Sequence, residues 1–195
     1  MIRGKTMKTK LAVIFPGIGY HTDKPLLYYS KMLAASCGYE ILEVNYGGFG
    51  SGIKGDAAKM QQAFEDAMSQ AYRILEGTDW DREDIVFVAK SVGTAVASAF
   101  ALRHQLHPRF VYFTPVEASF RVMQEPCIVF HGDRDPWLEH EIFREKIEEA
   151  GFEYHVVKNA NHSLETRDMA TDIENLGEVM RYVDDFFRSC HGGRR

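Results

Sequence analysis

The chain alternates short apolar runs with longer stretches of helical periodicity, and this alternation limits the folds that it can form. A run such as Leu11–Phe15 is continuously apolar and is followed by proline and glycine, which is typical of a strand buried on both faces. We predict six strands, at Leu11–Phe15, Tyr39–Tyr46, Asp84–Ala89, Phe110–Phe113, Cys127–His131 and Glu153–Lys158. Because helical stretches separate them, we predict a three-layer, doubly wound α/β architecture, with a mostly parallel sheet and helices on both faces.

Five segments between and after these strands have the composition or apolar spacing expected of helices. They are Lys24–Ser36, Ala57–Glu76, Val92–His104, Leu138–Ala150 and Thr171–Arg188. In parallel sheets covered by helices, ligands bind beyond the carboxyl ends of the strands. We therefore expect any reactive side chains to lie in the loops that directly follow the strands.

The length of 195 residues suits one domain, so we predict a single domain over residues 1–195. Within it, residues 1–7 are expected to form a disordered leader and residues 190–195 a frayed tail. The apolar run Leu11–Phe15 is too short for a signal peptide or a membrane span. The cysteines Cys37, Cys127 and Cys190 are odd in number and far apart, which favours reduced thiols in a cytoplasmic protein.

The net charge of the chain indicates which classes of partner it can bind. The formal net charge is −5, and a mildly acidic surface repels phosphate backbones, so we predict no nucleic-acid partner. We expect Arg194 and Arg195 at the chain end to form a solvated tail rather than a basic patch. We expect a small-molecule substrate and no membrane partner, while the oligomeric state stays open at this stage.

Ser91 stands where a buried strand runs directly into an alanine-rich helix. This is the layout of a nucleophile elbow, in which the serine sits on a sharp strand-to-helix turn. The turn crowds the positions two before and two after the serine, which here are Ala89 and Gly93. The usual pattern has glycine at both, so Ala89 is a departure. A serine that merely caps the helix is the alternative interpretation.

A serine nucleophile needs a base, and the base needs an acid that orients it. The loop after the fifth strand offers Asp133 and Asp135. We predict Asp135 as the acid, because it lies further out and Pro136 restricts its turn, whereas Asp133 suits an Asx turn. His162 follows the last strand and is the predicted base. The order serine, acid, histidine is the order of the α/β-hydrolase triad.

Acyl transfer also needs two donors for the oxyanion. We predict the backbone N–H groups of Val92, directly after the serine, and of Ile18, in the loop after the first strand. The glycines of that loop resemble a dinucleotide-binding motif, but Thr22 stands where its third glycine is required. We therefore predict no cofactor.

Other residues on the strand-end loops are candidates for substrate contacts, and we predict Gly19, Tyr20 and Trp137 in this role. Lys90 beside the serine raises the possibility of a Ser–Lys mechanism, but neighbouring residues at an elbow usually point apart. His104 and His107 lack a carboxylate or cysteine at matching spacing, so we predict no metal site.

Four segments, FPGIG, AKSVGTA, HGDRDPW and NANHSLE, resemble the α/β-hydrolase superfamily in its short, lidless form. The resemblance extends over nearly the whole chain; Ala89 and Pro16 depart from the family pattern. It implies an α/β-hydrolase fold without a cap domain, with Ser91, Asp135 and His162 as the catalytic residues. The implied function is a carboxylesterase-like serine hydrolase that forms an acyl-enzyme. No long insertion precedes the Cys127 strand, so we expect a shallow site that takes small esters or thioesters.

Three alternatives remain open from the sequence. The chain could be an idle pseudo-hydrolase that binds a ligand or a protein, although it keeps all three reactive residues. It could be an acyltransferase or peptidase, because these share the acyl-enzyme and differ only in the acceptor. A flavodoxin-like nucleotide-binding domain is disfavoured by the absence of a phosphate-binding glycine loop.

Overall fold

The strands form one sheet in which all six run parallel, as the sequence predicts. The computed structural model describes residues 9–50, 52–53 and 55–189, so the predicted leader, the predicted tail and Cys190 lie outside the described residues. The strands are β1 Lys10–Phe15, β2 Tyr39–Glu43, β3 Ile85–Lys90, β4 Arg109–Phe113, β5 Cys127–Gly132 and β6 Glu153–Val157. They lie in the order β2-β1-β3-β4-β5-β6.

The helices connect these strands and end close to the predicted boundaries. They are α1 Pro25–Ser36, α2 Ala57–Ile74, α3 Val92–Arg103, α4 His140–Ala150 and α5 Met169–Arg188, with a short 3₁₀ helix at Glu117–Arg121 that was not predicted. None of the helices in the described part of the chain is long and apolar enough to cross a membrane.

The end of β2 differs from its predicted position by three residues, and the end of α2 and the starts of α4 and α5 differ by two residues each. Local contacts explain the differences at β2 and α4. Strand β2 ends at Glu43, since Val44 still donates to Ile14 but the chain then leaves the sheet edge. Helix α4 starts at His140 instead of Leu138. The Asp135 carboxylate accepts the Trp137 N–H at 2.8 Å, which holds the preceding residues in an Asx turn.

Two apolar cores cover the two faces of the sheet. Along β1, Leu11, Val13 and Phe15 belong to one core, and Ala12 and Ile14 belong to the other. The first core includes residues of α2, α3 and α4, and the second includes residues of α1 and α5. Burial on both faces explains why β1, β3, β4 and β5 are largely apolar, whereas the edge strands β2 and β6 are only partly buried and carry polar residues.

The order of the strands determines where a crevice opens at the carboxyl edge of the sheet. From β1 the chain turns outward to β2 and then returns to β3 on the other side of β1. The loops after β1 and β3 therefore diverge, which opens a crevice at the carboxyl edge of the sheet. Among the described residues, the connection from β4 to β5 contains only the short 3₁₀ helix, so no cap domain stands there.

Candidate active site

Ser91 lies on a strained turn between β3 and α3. Its φ of 55° and ψ of −127° are unusual for a residue with a side chain. Such a conformation costs about 1–3 kcal/mol and persists only where the surroundings fix it. Here the Ser91 N–H donates to the Phe113 carbonyl at 2.9 Å, and the Thr94 N–H donates to the Ser91 carbonyl at 2.9 Å.

At this elbow, the position two residues after Ser91 is crowded by backbone atoms, whereas the position two residues before it has room for a methyl group. A Cβ atom on Gly93 would lie 2.4 Å from the Pro16 carbonyl oxygen and 2.5 Å from that of Phe15, so glycine is required there. Ala89 is fully buried, and its methyl group belongs to the apolar core on one face of the sheet. The departure from glycine at Ala89 is therefore accommodated by core packing.

The three predicted catalytic residues form a hydrogen-bonded row. His162 Nε2 lies 2.8 Å from Ser91 Oγ, and His162 Nδ1 lies 2.7 Å from Asp135 Oδ2. The Asp135 carboxylate is buried, and its other oxygen accepts the Trp137 N–H. A carboxylate beside Nδ1 favours the tautomer with its proton on Nδ1, which leaves Nε2 free to accept the serine proton.

The His162 loop is held by contacts that the sequence did not predict. Thr114, at the end of β4, donates from Oγ1 to the His162 carbonyl at 3.0 Å. The Trp137 ring stacks on the imidazole with centroids 5.3 Å apart. Threonine after a strand is common in proteins, so nothing in the sequence singled out Thr114 for this role.

The loop after β1 presents the predicted second donor. Gly17 and Tyr20 bond to each other's backbone at 3.1 and 3.3 Å, which leaves Ile18 and Gly19 at the tip of a tight turn. Gly19 has a φ of 75°, a conformation that favours glycine. Val92 is the first residue of α3, where a helix has no internal acceptor for the N–H group.

A cavity of about 180 Å³ adjoins Ser91 and His162. All three predicted substrate-contacting residues, Gly19, Tyr20 and Trp137, line it together with Ile18 and Val92. Met60 of α2, Lys90 and Ser163 line it as well, and the sequence analysis did not predict them as site residues.

A second cleft of about 690 Å³ lies beside the first cavity. Met60 and Trp137 line both, and the 3₁₀ helix and α4 supply much of the remaining wall. The region around the nucleophile is therefore roomier than the shallow site that we expected from the lack of an insertion.

Burial shapes the electrostatics of the smaller cavity. It lowers the pKa of Lys90 to about 7, and the carboxylates of Asp135 and Glu165 offset only part of this effect. Burial also raises the pKa of the Tyr20 hydroxyl, which accepts a hydrogen bond from the Leu26 N–H at 3.1 Å. Across the described residues, no cluster of three or more side chains is arranged to hold a metal ion.

Solved structures with this architecture include several hydrolases. An α/β serine hydrolase without a lid from Xanthomonas campestris is 12% identical, with a TM-score of 0.62 over 96% of this chain and 87% of that chain. A serine hydrolase homologue from Coxiella burnetii is 16% identical, with a TM-score of 0.63 over 93% of this chain and 87% of that chain. This chain has the α/β-hydrolase fold. No protein-family model matches the sequence, and no curated protein is significantly similar to it.

A third structure with the α/β-hydrolase fold is Est1E from Butyrivibrio proteoclasticus, solved with ferulic acid bound. It is 13% identical, with a TM-score of 0.66 over 95% of this chain and 91% of that chain. At these identities the likeness shows the α/β-hydrolase fold and leaves the chemistry to the residues of the site.

Proposed function

We propose that this protein is a serine hydrolase that cleaves a small ester or thioester through a covalent acyl-enzyme. The observation that carries the proposal is the hydrogen-bonded row of Ser91, His162 and Asp135 at the edge of a cavity. A helix-capping serine, the alternative interpretation, needs neither an imidazole on its hydroxyl nor a buried carboxylate behind that imidazole.

In the first half-reaction, His162 Nε2 takes the Ser91 proton as Oγ bonds to the substrate carbonyl carbon. The carbonyl π electrons move onto oxygen, and the N–H groups of Val92 and Ile18 stabilise the resulting oxyanion. The oxyanion then collapses and breaks the bond to the leaving oxygen or sulfur, which receives the proton from His162. Asp135 keeps the imidazole oriented and stabilises its charged form.

In the second half-reaction, water replaces the leaving group. His162 takes a proton from the water as its oxygen bonds to the acyl carbon, and a second oxyanion forms in the same place. Collapse of this oxyanion breaks the bond to Ser91 Oγ, releases the carboxylic acid and returns the proton to the serine. Every proton in this cycle passes through His162, so the proposed steps involve only side chains and backbone groups of the chain and water.

Labelling with a fluorophosphonate probe tests this proposal. We expect an adduct on Ser91, located by mass spectrometry of the modified peptide, and its loss in His162→Ala. Ser163 lines the same cavity, and among the described residues no base is hydrogen-bonded to its hydroxyl, so Ser163→Ala is a matched control that should keep the label. Absence of an adduct in folded protein would overturn the proposal in favour of a ligand-binding pseudo-hydrolase.

An ester panel then separates hydrolysis from the other outcomes of an acyl-enzyme. We expect release of free acid from short acyl esters in water alone. Turnover only after an alcohol, thiol or amine acceptor is added would instead identify an acyltransferase. We also propose a cytoplasmic location, because the described cysteines, Cys37 and Cys127, are free thiols.

A further inference from the structure

Lys90 is the residue of the active-site cavity whose surroundings are least explained by the proposed mechanism. It is only 1% exposed and lines the same cavity as Ser91. Its Nζ lies 5.0 Å from the centroid of the Tyr20 ring. Among the described residues, no side chain or carbonyl forms a hydrogen bond or a short ion pair with this ammonium group.

This environment is unfavourable for a free cation. Removing an ammonium group from water costs several kcal/mol even after the protein relaxes. Contact with an aromatic face returns about 2 kcal/mol when the pair is desolvated. The nearby Asp135 carboxylate is already engaged by His162 and Trp137, and Glu165 acts only at longer range. The charged form of Lys90 therefore lacks a close negative partner among the described residues. A bound anion in the cavity would supply that partner.

We propose that Lys90 binds a carboxylate on the acyl group of the substrate, so that the preferred substrates are monoesters or monothioesters of short dicarboxylic acids. This inference rests on the proposed hydrolase function. The acyl group becomes bonded to Ser91, the neighbour of Lys90, in the first half-reaction and stays bonded until water releases it in the second. Lys90 and Ser91 both line the cavity of about 180 Å³ and neither lines the larger cleft, so only a short chain fits between the two carboxyl groups.

The proposal has a pH dependence of definite sign. The titratable groups around Lys90 are Tyr20 and His162, which line the same cavity, and Asp135 and Glu165, whose charges act on the amine from a distance. Burial lowers the pKa of Lys90 to about 7, so the free protein holds the charged amine mainly below that pH. Affinity for a carboxylate is then highest below pH 7 and falls by up to about tenfold per pH unit above it. Tyr20 stays neutral over this range, because burial raises its pKa.

Paired substrates test the selectivity. Monoethyl succinate and ethyl 4-methylpentanoate have acyl groups of similar shape, and only the first carries a carboxylate. We expect wild-type kcat/KM to favour the succinate ester, and Lys90→Met to lower this preference by about 10- to 100-fold, as for a lost charge-assisted hydrogen bond. The control is Lys158→Met, which removes an exposed lysine from the same edge of the sheet and should leave the ratio unchanged.

A third substrate locates the carboxylate. Acetoxyacetate is an ester whose leaving group, rather than its acyl group, carries the charge. If Lys90→Met lowered kcat/KM for acetoxyacetate but not for monoethyl succinate, the assignment to the acyl group would be wrong. If the ratio of the paired esters did not change while Ser91 was still labelled, the inference would fail and the hydrolase function would stand.

A binding measurement decides the matter without turnover. We expect succinate to bind Ser91→Ala in calorimetry at pH 6, to bind at least tenfold more weakly at pH 8.5, and to lose this pH dependence in Ser91→Ala with Lys90→Met. His162 is present in both proteins, so the comparison removes its contribution. Equal affinity in both proteins would overturn the role of Lys90, whatever the outcome of the serine labelling.

Discussion

Gly132, the last residue of β5, lies where the loop that carries Asp135 passes the loop that carries His162. A Cβ atom added there would lie 2.3 Å from the Ala160 carbonyl oxygen and 2.6 Å from the Asn161 carbonyl oxygen. Both atoms belong to the backbone, so no side-chain rotation relieves the contact. Restoring ordinary contact distances in Gly132→Ala requires the two loops to separate by about 1 Å, which is overpacking at a cost of about 1–3 kcal/mol.

This separation acts directly on the proposed chemistry. His162 follows Asn161, and its Nε2 lies 2.8 Å from Ser91 Oγ. A displacement of about 1 Å passed on to the imidazole breaks this hydrogen bond, and a misplacement of that size costs roughly 100-fold in rate. We therefore expect Gly132→Ala to react with a fluorophosphonate about 100-fold more slowly and to unfold at lower urea concentration.

The control for this experiment is Gly177→Ala, because Gly177 lies within α5 with open space where its Cβ would stand. We expect it to keep the wild-type labelling rate and to gain up to about 1 kcal/mol from improved helix propensity. If Gly132→Ala matched the wild type in both the urea midpoint and the labelling rate, the contact between the two loops would not position His162.

Two further predictions concern the residues around Asp135. Asp135→Asn should fold but lose on the order of 10⁴-fold in the rate of Ser91 labelling, because an amide no longer fixes the imidazole tautomer, while Asp133→Asn on the same loop keeps the rate. Burial lowers the pKa of His131 to about 4. The unfolded chain then binds more protons than the folded one between pH 6.5 and 4, so the free energy of unfolding falls over this window by at most about 3 kcal/mol. In His131→Phe this fall should shrink in urea titrations at several pH values; an unchanged fall would assign it to other groups.

The sequence was sufficient to predict the parallel sheet and the three residues that form the hydrogen-bonded row, because both depend on local patterns. A continuously apolar run marks a doubly buried strand, and Ser91, Asp135 and His162 each lie within a few residues of a strand end. The edges of elements were less predictable. Helix α4 starts two residues later than its apolar pattern indicates, because the Asp135 carboxylate accepts the Trp137 N–H and holds this segment in an Asx turn before the helix.

Residues that reach the site from other parts of the fold could not be predicted in this way. Met60 lines both cavities. It lies near the start of α2, in the long connection between β2 and β3, and no recognisable motif surrounds it. Tyr46 donates from its hydroxyl to the Pro16 carbonyl at the start of the turn that carries Ile18. The positions of Met60 and Tyr46 depend on how α2 and the loop after β2 pack against the rest of the fold, which a local sequence pattern does not encode.

The position of Lys90 depends on a neighbouring loop as well as on its place next to Ser91 in the sequence. Neighbours at an elbow were expected to point apart, and the hydroxyl of Ser91 indeed bonds to His162 instead of Lys90. The loop after β1 nevertheless places Tyr20 against the lysine, so that both line the same cavity. A side chain that points away from its neighbour in sequence can still share a binding site with it.

Backbone strain in this protein is concentrated where the chemistry is proposed. Positive φ angles occur at Ser91 after β3, Thr114 after β4 and Asn159 after β6, and also at Leu164 in the loop that carries His162. Each such conformation costs about 1–3 kcal/mol. By contrast, the positive φ of Gln105 merely closes α3. Thr114 bonds to the His162 carbonyl and Ser91 bonds to the imidazole, so two of these strained residues themselves hold the row together. The apolar cores on both faces of the sheet offset this cost, and β4 and β5, whose following loops carry Thr114 and Asp135, are buried along their whole length.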